Sequence, residues 1–305
     1  MKRLFILAGA LVMGLTATAQ QDPHYTQYMY NMSVMNPAYA GSKENLAGGA
    51  LYRKQWVDLE DAPSTATFFL HSPVGKNVGL GVSVINDQIG PVDETNAYAD
   101  FSYTLNLGGE HKLALGIKAG ATFHKVDFQS IYPTLPDVGD GIFGGNNPNE
   151  TMFNAGAGLF YYTDKYYVAF SMPNMFKGKY LNYDGVEYGT EVMHYFLTAG
   201  YVFQLNENLK LKPSAMLKSS TETKPSLDAS LNLLFHERFE IGGTYRLEDS
   251  FGGMVNFAIT PNLKIGYAYD HIVSDLKVTT PSSHEFMLLF EIPTYKKVSR
   301  SPRFF

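Results

Sequence analysis

The chain has 305 residues, 45% of them hydrophobic, 14% aromatic and 17% charged, so it can bury a large core. A formal net charge of -5 gives no electrostatic case for binding nucleic acid, and the absence of cysteine excludes disulfide frameworks and thiolate metal sites. The 28 glycines and 21 tyrosines suit a membrane barrel, where Gly relieves crowding and Tyr serves the water–lipid boundary.

Residues 1–19 read as a signal peptide. Lys2 and Arg3 precede the apolar run Leu4 to Leu15, and Ala17-Thr18-Ala19 offers small residues for cleavage. That run is too short to span a membrane as a helix, and no later run is long enough. The reading is therefore an exported chain held by strands rather than a helical anchor. Residues 20–45 are rich in Tyr, Met and Asn and lack any strand pattern. They are expected to form a plug or a periplasmic docking segment, or else an ordered leader packed beneath the barrel.

From Leu46 onward, short runs alternate apolar with polar or small residues, as a strand exposing its two faces to different media requires. Turn residues divide this region into about fourteen strands. They fall at roughly 46–56, 63–73, 78–88, 95–107, 111–127, 152–163, 166–175, 191–205, 209–219, 225–235, 239–248, 251–260, 263–273 and 283–292. The connections sort into two interleaved sets. Tight ones include Gly108-Gly109-Glu110, Thr163-Asp164-Lys165 and Thr260-Pro261-Asn262, while longer ones include 57–62, 88–94, 128–151, 176–190 and 274–282. Short turns at one end and long loops at the other mark an outer-membrane barrel with both termini periplasmic. The fold class expected is all-β: a transmembrane antiparallel β-barrel over residues 46–292, with 293–305 as a short periplasmic tail.

Mid-strand charges assign the faces. Lys118 shares its face with Thr122 and His124, Asp228 with Ser230 and Asn232, and Asp270 with Lys264. A Lys or Arg facing lipid at the midplane would cost about 2–4 kcal/mol, so the polar face lines the lumen. Asp100, Lys118, Lys212, Lys218, Asp228, Glu240, Arg246 and Asp270 are the expected luminal charges, joined by Arg53 and Glu285. Their mixed signs favour a salt-bridged interior over a selective constriction. Trp56, Tyr98, Tyr161, Tyr201, Tyr269 and Phe290 are expected in aromatic girdles. Pro173 should end a strand or mark a bulge. The histidines lack close metal-ligand spacing, and Ser72 beside His71 in a tight turn is not a nucleophile arrangement. Gly79-Leu80-Gly81 and Gly156-Ala157-Gly158 are small residues on strand faces, not nucleotide loops.

The most specific words lie near the start. Asp22-Pro23-His24-Tyr25-Thr26-Gln27-Tyr28-Met29-Tyr30-Asn31 leads into Asn36-Pro37-Ala38-Tyr39-Ala40-Gly41-Ser42. With Arg53, Gln55-Trp56, Ile85-Asn86-Asp87-Gln88-Ile89-Gly90 and Ser283-His284-Glu285, this resembles the PorP/SprF family of type IX secretion membrane proteins. Tyr25 and Tyr30 stand where the family commonly has Phe. The resemblance implies an outer-membrane protein of the Bacteroidetes. It implies work in secretion or gliding motility, or in attaching secreted proteins to the cell surface. Gln27, Tyr28, Asn36, Pro37, Ala38, Gly41, Arg53, Gln55, Trp56, His284 and Glu285 become motif positions with docking or structural roles.

The expected function is thus a non-enzymatic docking platform without cofactor or metal. Its partners would be outer-membrane lipid, secretion components, a periplasmic or peptidoglycan-linked subunit, and a secreted surface protein. The alternative is a channel or transporter for small or hydrophobic solutes, which the luminal Phe69, Phe160 and Phe196 would suit. A soluble exported sandwich is a third possibility.

Overall fold

The computed structural model describes residues 25–43, 45–127, 149–176, 179–183, 186–190, 192–220, 225–273 and 282–293. The signal-peptide reading at 1–19, the tail at 294–305 and most of the loop at 128–151 lie outside them. The first half of the chain forms β1 (Leu46–Lys54), β2 (Ser64–Pro73), β3 (Val78–Ile89), β4 (Val92–Gly108), β5 (His111–Val126), β6 (Asn149–Tyr162) and β7 (Tyr166–Met172). A hairpin follows, β8 (Lys179–Tyr183) and β9 (Val186–Thr190), and then β10 (His194–Tyr201) and β11 (Phe203–Asn206). The second half adds β12 (Leu209–Ser220), β13 (Ser226–Phe235), β14 (Phe239–Arg246), β15 (Ser250–Thr260), β16 (Leu263–Ile272) and β17 (Ser282–Ile292).

Sequence neighbours pair antiparallel all the way round. β1 closes on β17, and β10 pairs with both β7 and β12, which leaves the sheet without an open side. The result is a closed barrel of fourteen strands, the expected number, with β11 as one extra strand continuing β10 beyond Val202. Closure removes the unpaired edges that a bilayer would penalise.

Burial follows the alternation. In β4, Tyr98, Asp100 and Ser102 are buried while Ala99, Phe101 and Tyr103 are exposed. In β13, Asp228, Ser230 and Asn232 are buried while Leu227, Ala229 and Leu231 are exposed. The polar face is the inner one and the apolar face is the outer one, an inversion that suits lipid outside.

Several details depart from the expectations. The connection at 88–94 is not a long loop: pairing continues to Ile89↔Val92, and Gly90 turns the chain with φ +55°. The connection at 176–190 holds the β8–β9 hairpin. The stretch 191–205 is broken at Val202, whose N–H donates to the Lys165 carbonyl at 2.7 Å, away from the β12 ladder. Tyr98 is not a girdle residue. It shares parity with Asp100, so it points inward and its hydroxyl meets Thr122 at 3.3 Å. β7 ends at Met172, just before Pro173, as a missing N–H requires.

Candidate functional site

The inner wall is packed against residues 25–42. This segment lacks alternation because wall surrounds it on every side, and it folds as two 3₁₀ turns (Tyr28–Tyr30 and Pro37–Tyr39) flanking a single α-turn (Met32–Met35). Asn36 sets the last turn: its side chain accepts from the Ala38 N–H at 2.9 Å, and Pro37 occupies the first position, where no donor is lost. Gln27, Tyr28, Met29, Asn31, Asn36 and Ala38 are all fully buried.

The wall is shaped to receive it. A Cβ on Gly116 would run into the backbone of Pro37 and Ala38, and one on Gly158 would strike the Asn36 side chain. These glycines let backbone meet backbone. Gly41 leaves the segment with φ +73°, and its N–H donates to His71 Nδ1 at 3.1 Å.

Charged side chains fix the segment at several heights. Arg53 on β1 bridges Asp270 on β16 at 2.8 Å and Glu285 on β17 at 3.3 Å, all with almost no exposure. The Thr26 and Gln27 N–H groups each donate to Glu285 at 2.9 Å, and the Thr26 hydroxyl donates to Asp270 at 2.5 Å. Lys212 pairs with Glu240 at 3.1 Å, and Tyr30 donates to Glu240 while accepting from Lys212 at 2.9 Å. Lys118 lies 3.7 Å from Asp100 and donates to the Val34 carbonyl at 2.5 Å. Tyr28 donates to Ser214 at 3.0 Å, and Tyr25 and Thr67 share a hydrogen bond of 2.9 Å. Burial pushes the Tyr28 hydroxyl up to about 12 and raises Tyr25 and Tyr30 too, so all three stay protonated.

Each expected luminal charge is buried on the inner face. Arg246 holds Asp228 at 3.0 Å nearer the long loops, and Lys218 lies 5.9 Å from the Phe196 ring centre. Among the motif positions, Gln27, Tyr28, Asn36, Pro37, Ala38, Gly41, Arg53 and Glu285 converge on the filled lumen. Gln55, Trp56 and His284 do not. Gln55 and Trp56 sit half-buried at the loop end of β1, with the Trp56 N–H on the Ser283 hydroxyl at 3.2 Å and φ +48°. His284 faces outward. Thr26, Tyr30, His71 and Ser102 are outside the expected motif positions and luminal charges, yet all four anchor the segment; Ser102 donates to the Ala40 carbonyl at 2.6 Å. Inward parity on β2 and β4 was the available signal for His71 and Ser102.

Phe69, Phe160 and Phe196 point inward and join one apolar cluster with Tyr28, Met29, Met32 and Tyr39. A cavity of about 80 Å³ lies on the loop side of the segment, against Tyr25, Val34 and Met35. Another, of about 230 Å³, lies on the turn side against Tyr30, Tyr39 and Lys43. The segment stands between the two.

A closed barrel with an apolar exterior and a packed, ion-paired interior defines an outer-membrane β-barrel protein. Residues 17–290 match the family described as "Type IX secretion system membrane protein PorP/SprF", and the chain belongs to that family. No curated protein matches the chain. Among solved structures it is similar to the CymD monoaromatic hydrocarbon channel, with 11% identity over 90% of this chain and 94% of that one, at a TM-score of 0.54. It is also similar to the Acinetobacter baumannii outer membrane protein Omp33, with 12% identity over 82% and 98% of the two chains and a TM-score of 0.46. At 11% identity the likeness to CymD speaks to the fold alone.

Proposed function

We propose that this protein is a closed docking platform of the type IX secretion system, supporting secretion or surface attachment of exported proteins, gliding adhesins among them. The observation that carries this reading is the occupied lumen. A conduit needs space along its axis, whereas here a buried segment is fastened to the wall through Glu285, Asp270, Glu240 and Lys118. A filled barrel offers its ends rather than its axis. The long loops, including 128–151 and 176–190, would receive the exported partner. The tight turns and the start of the N-terminal segment would face the periplasm, with both termini, and meet a periplasmic or peptidoglycan-linked subunit. In this reading residues 1–19 are removed on export, the segment acts as plug and docking element together, and no chemistry is catalysed.

Pull-down of native complexes tests it. Deleting 130–148 should abolish recovery of the exported partner while leaving the periplasmic partner bound. Unchanged recovery of both would sink the loop assignment. The rival channel reading expects discrete conductance from the intact barrel.

A further inference from the structure

The outward faces of β14–β17 and β1–β3 do not form a plain convex wall. They bend into an apolar concavity of about 930 Å³. Its floor is low because the small, outward-facing Ala50 and Ala66 stand there. Its flanks are Tyr52, Phe68, Phe286 and Leu288, all well exposed on the membrane-facing side. Large apolar side chains around a floor of small ones make a groove for an apolar chain, not a random greasy patch.

Beyond the Tyr52–Phe286 end of the groove the outward face turns polar. Lys54 follows Tyr52 on the outward face and stands opposite His284 in the β1–β17 register. His284 Nδ1 is hydrogen-bonded to the Tyr267 hydroxyl at 2.7 Å, and the Tyr269 ring packs edge-on against it at 5.4 Å. Lys54 Nζ donates to the Ala62 carbonyl at 2.7 Å, a neutral partner, and no carboxylate of the described residues pairs with it. The acids of the adjoining loop, Asp58, Glu60 and Asp61, are exposed to solvent. A cation and an imidazole at the water boundary, above an apolar trough that runs toward the membrane centre, match an amphiphile with one anionic head. A protein partner would need no such single-ended polarity.

We propose that this concavity binds a phosphate-bearing membrane lipid, with an acyl chain over Ala50 and Ala66 and its head group at Lys54 and His284. His284, which takes no part in the lumen, thereby gains a role on the outer wall. The proposal rests on the membrane-facing assignment of the outer face and is independent of any docking partner.

Native mass spectrometry of the full barrel in mild detergent, after mixing with phosphatidylglycerol or a neutral diacyl glycolipid, tests it. The intact protein should retain phosphatidylglycerol. Ala50→Phe with Ala66→Phe should lower that retention at least about tenfold, which is about 1.4 kcal/mol. Lys54→Gln should lower phosphatidylglycerol retention and leave the neutral lipid unchanged. Leu115→Phe, on the outward face of β5, should alter neither. The substitutions face lipid, and heat-modifiable mobility on gels will show that each barrel is folded. No lipid on the intact protein, or equal retention by the groove-filled variant, overturns the proposal. So does a protein cross-linked to position 50 in place of lipid.

Discussion

Arg53 shows how much a single inward side chain organises. In water, one guanidinium opposite two carboxylates would contribute little. Here Arg53, Asp270 and Glu285 are all desolvated, and the arrangement survives because Thr26 and Gln27 complete the carboxylates' hydrogen bonds. Arg53→Met should therefore cost about 3–5 kcal/mol, read as a lower urea midpoint for the barrel in micelles, because it strands two buried carboxylates. Arg53→Met with Asp270→Asn and Glu285→Gln should recover part of that loss. Parity along β1, β16 and β17 placed all three on the inner face, but it could not pair them. Pairing depends on register, and on the segment whose N–H groups share Glu285. A second residue-scale effect sits at the turn between β13 and β14, where His236 and Glu237 both hold positive φ (+49° and +57°) while Arg238 N–H closes on the Phe235 carbonyl at 2.9 Å. That backbone suits Asn-Gly rather than His-Glu. His236→Gly should stabilise the barrel by about 0.4–1 kcal/mol in the same unfolding measurement, since it relieves the positive φ at an exposed position and, unlike a change at Glu237, leaves the ion pair to the buried Lys210 intact.

At the scale of elements, the fourteen barrel strands were legible because a wall between lipid and a polar interior imposes a period of two on each of them. The β8–β9 hairpin was not, since among the described residues it pairs only with itself, as a sheet separate from the barrel. The tight turn after Ile89 was hidden because Asp93 and Glu94 look like loop residues, yet they extend the β3–β4 ladder. The N-terminal segment was visible only as an absence of pattern; its contacts arise from surrounding wall on all sides, which no local periodicity records. The glycines at 116 and 158 are the element-level key to it, since they give the space that Asn36, Pro37 and Ala38 occupy. Gly116→Val should displace that turn while leaving the strands in place. Hydrogen exchange is the check: amides of Val34, Asn36, Tyr39 and Ala40 should lose protection by at least about tenfold, with β12–β15 unchanged. Protection retained at those amides would mean the wall can yield and the close fit is not what seats the segment.

On the scale of the whole molecule, an outer-membrane barrel of the PorP/SprF family has its interior spent on its own chain. The ion pairs sit at several heights around the segment, so its removal would leave Glu285, Asp270 and Glu240 facing water in an open bore. The fold and the inner charges were readable from alternation, whereas the secretion family rested on the words from Asp22 to Ser42, outside the alternating region. The two meet only in the folded lumen, where those words touch those charges. Single-channel recording in planar bilayers tests the central claim most directly, comparing the intact protein with a chain lacking residues 25–42. The intact barrel should show no discrete conductance and the shortened one should open steady, large steps. Equal conductance from both, or open steps from the intact barrel, would contradict a lumen closed by its own N-terminal segment.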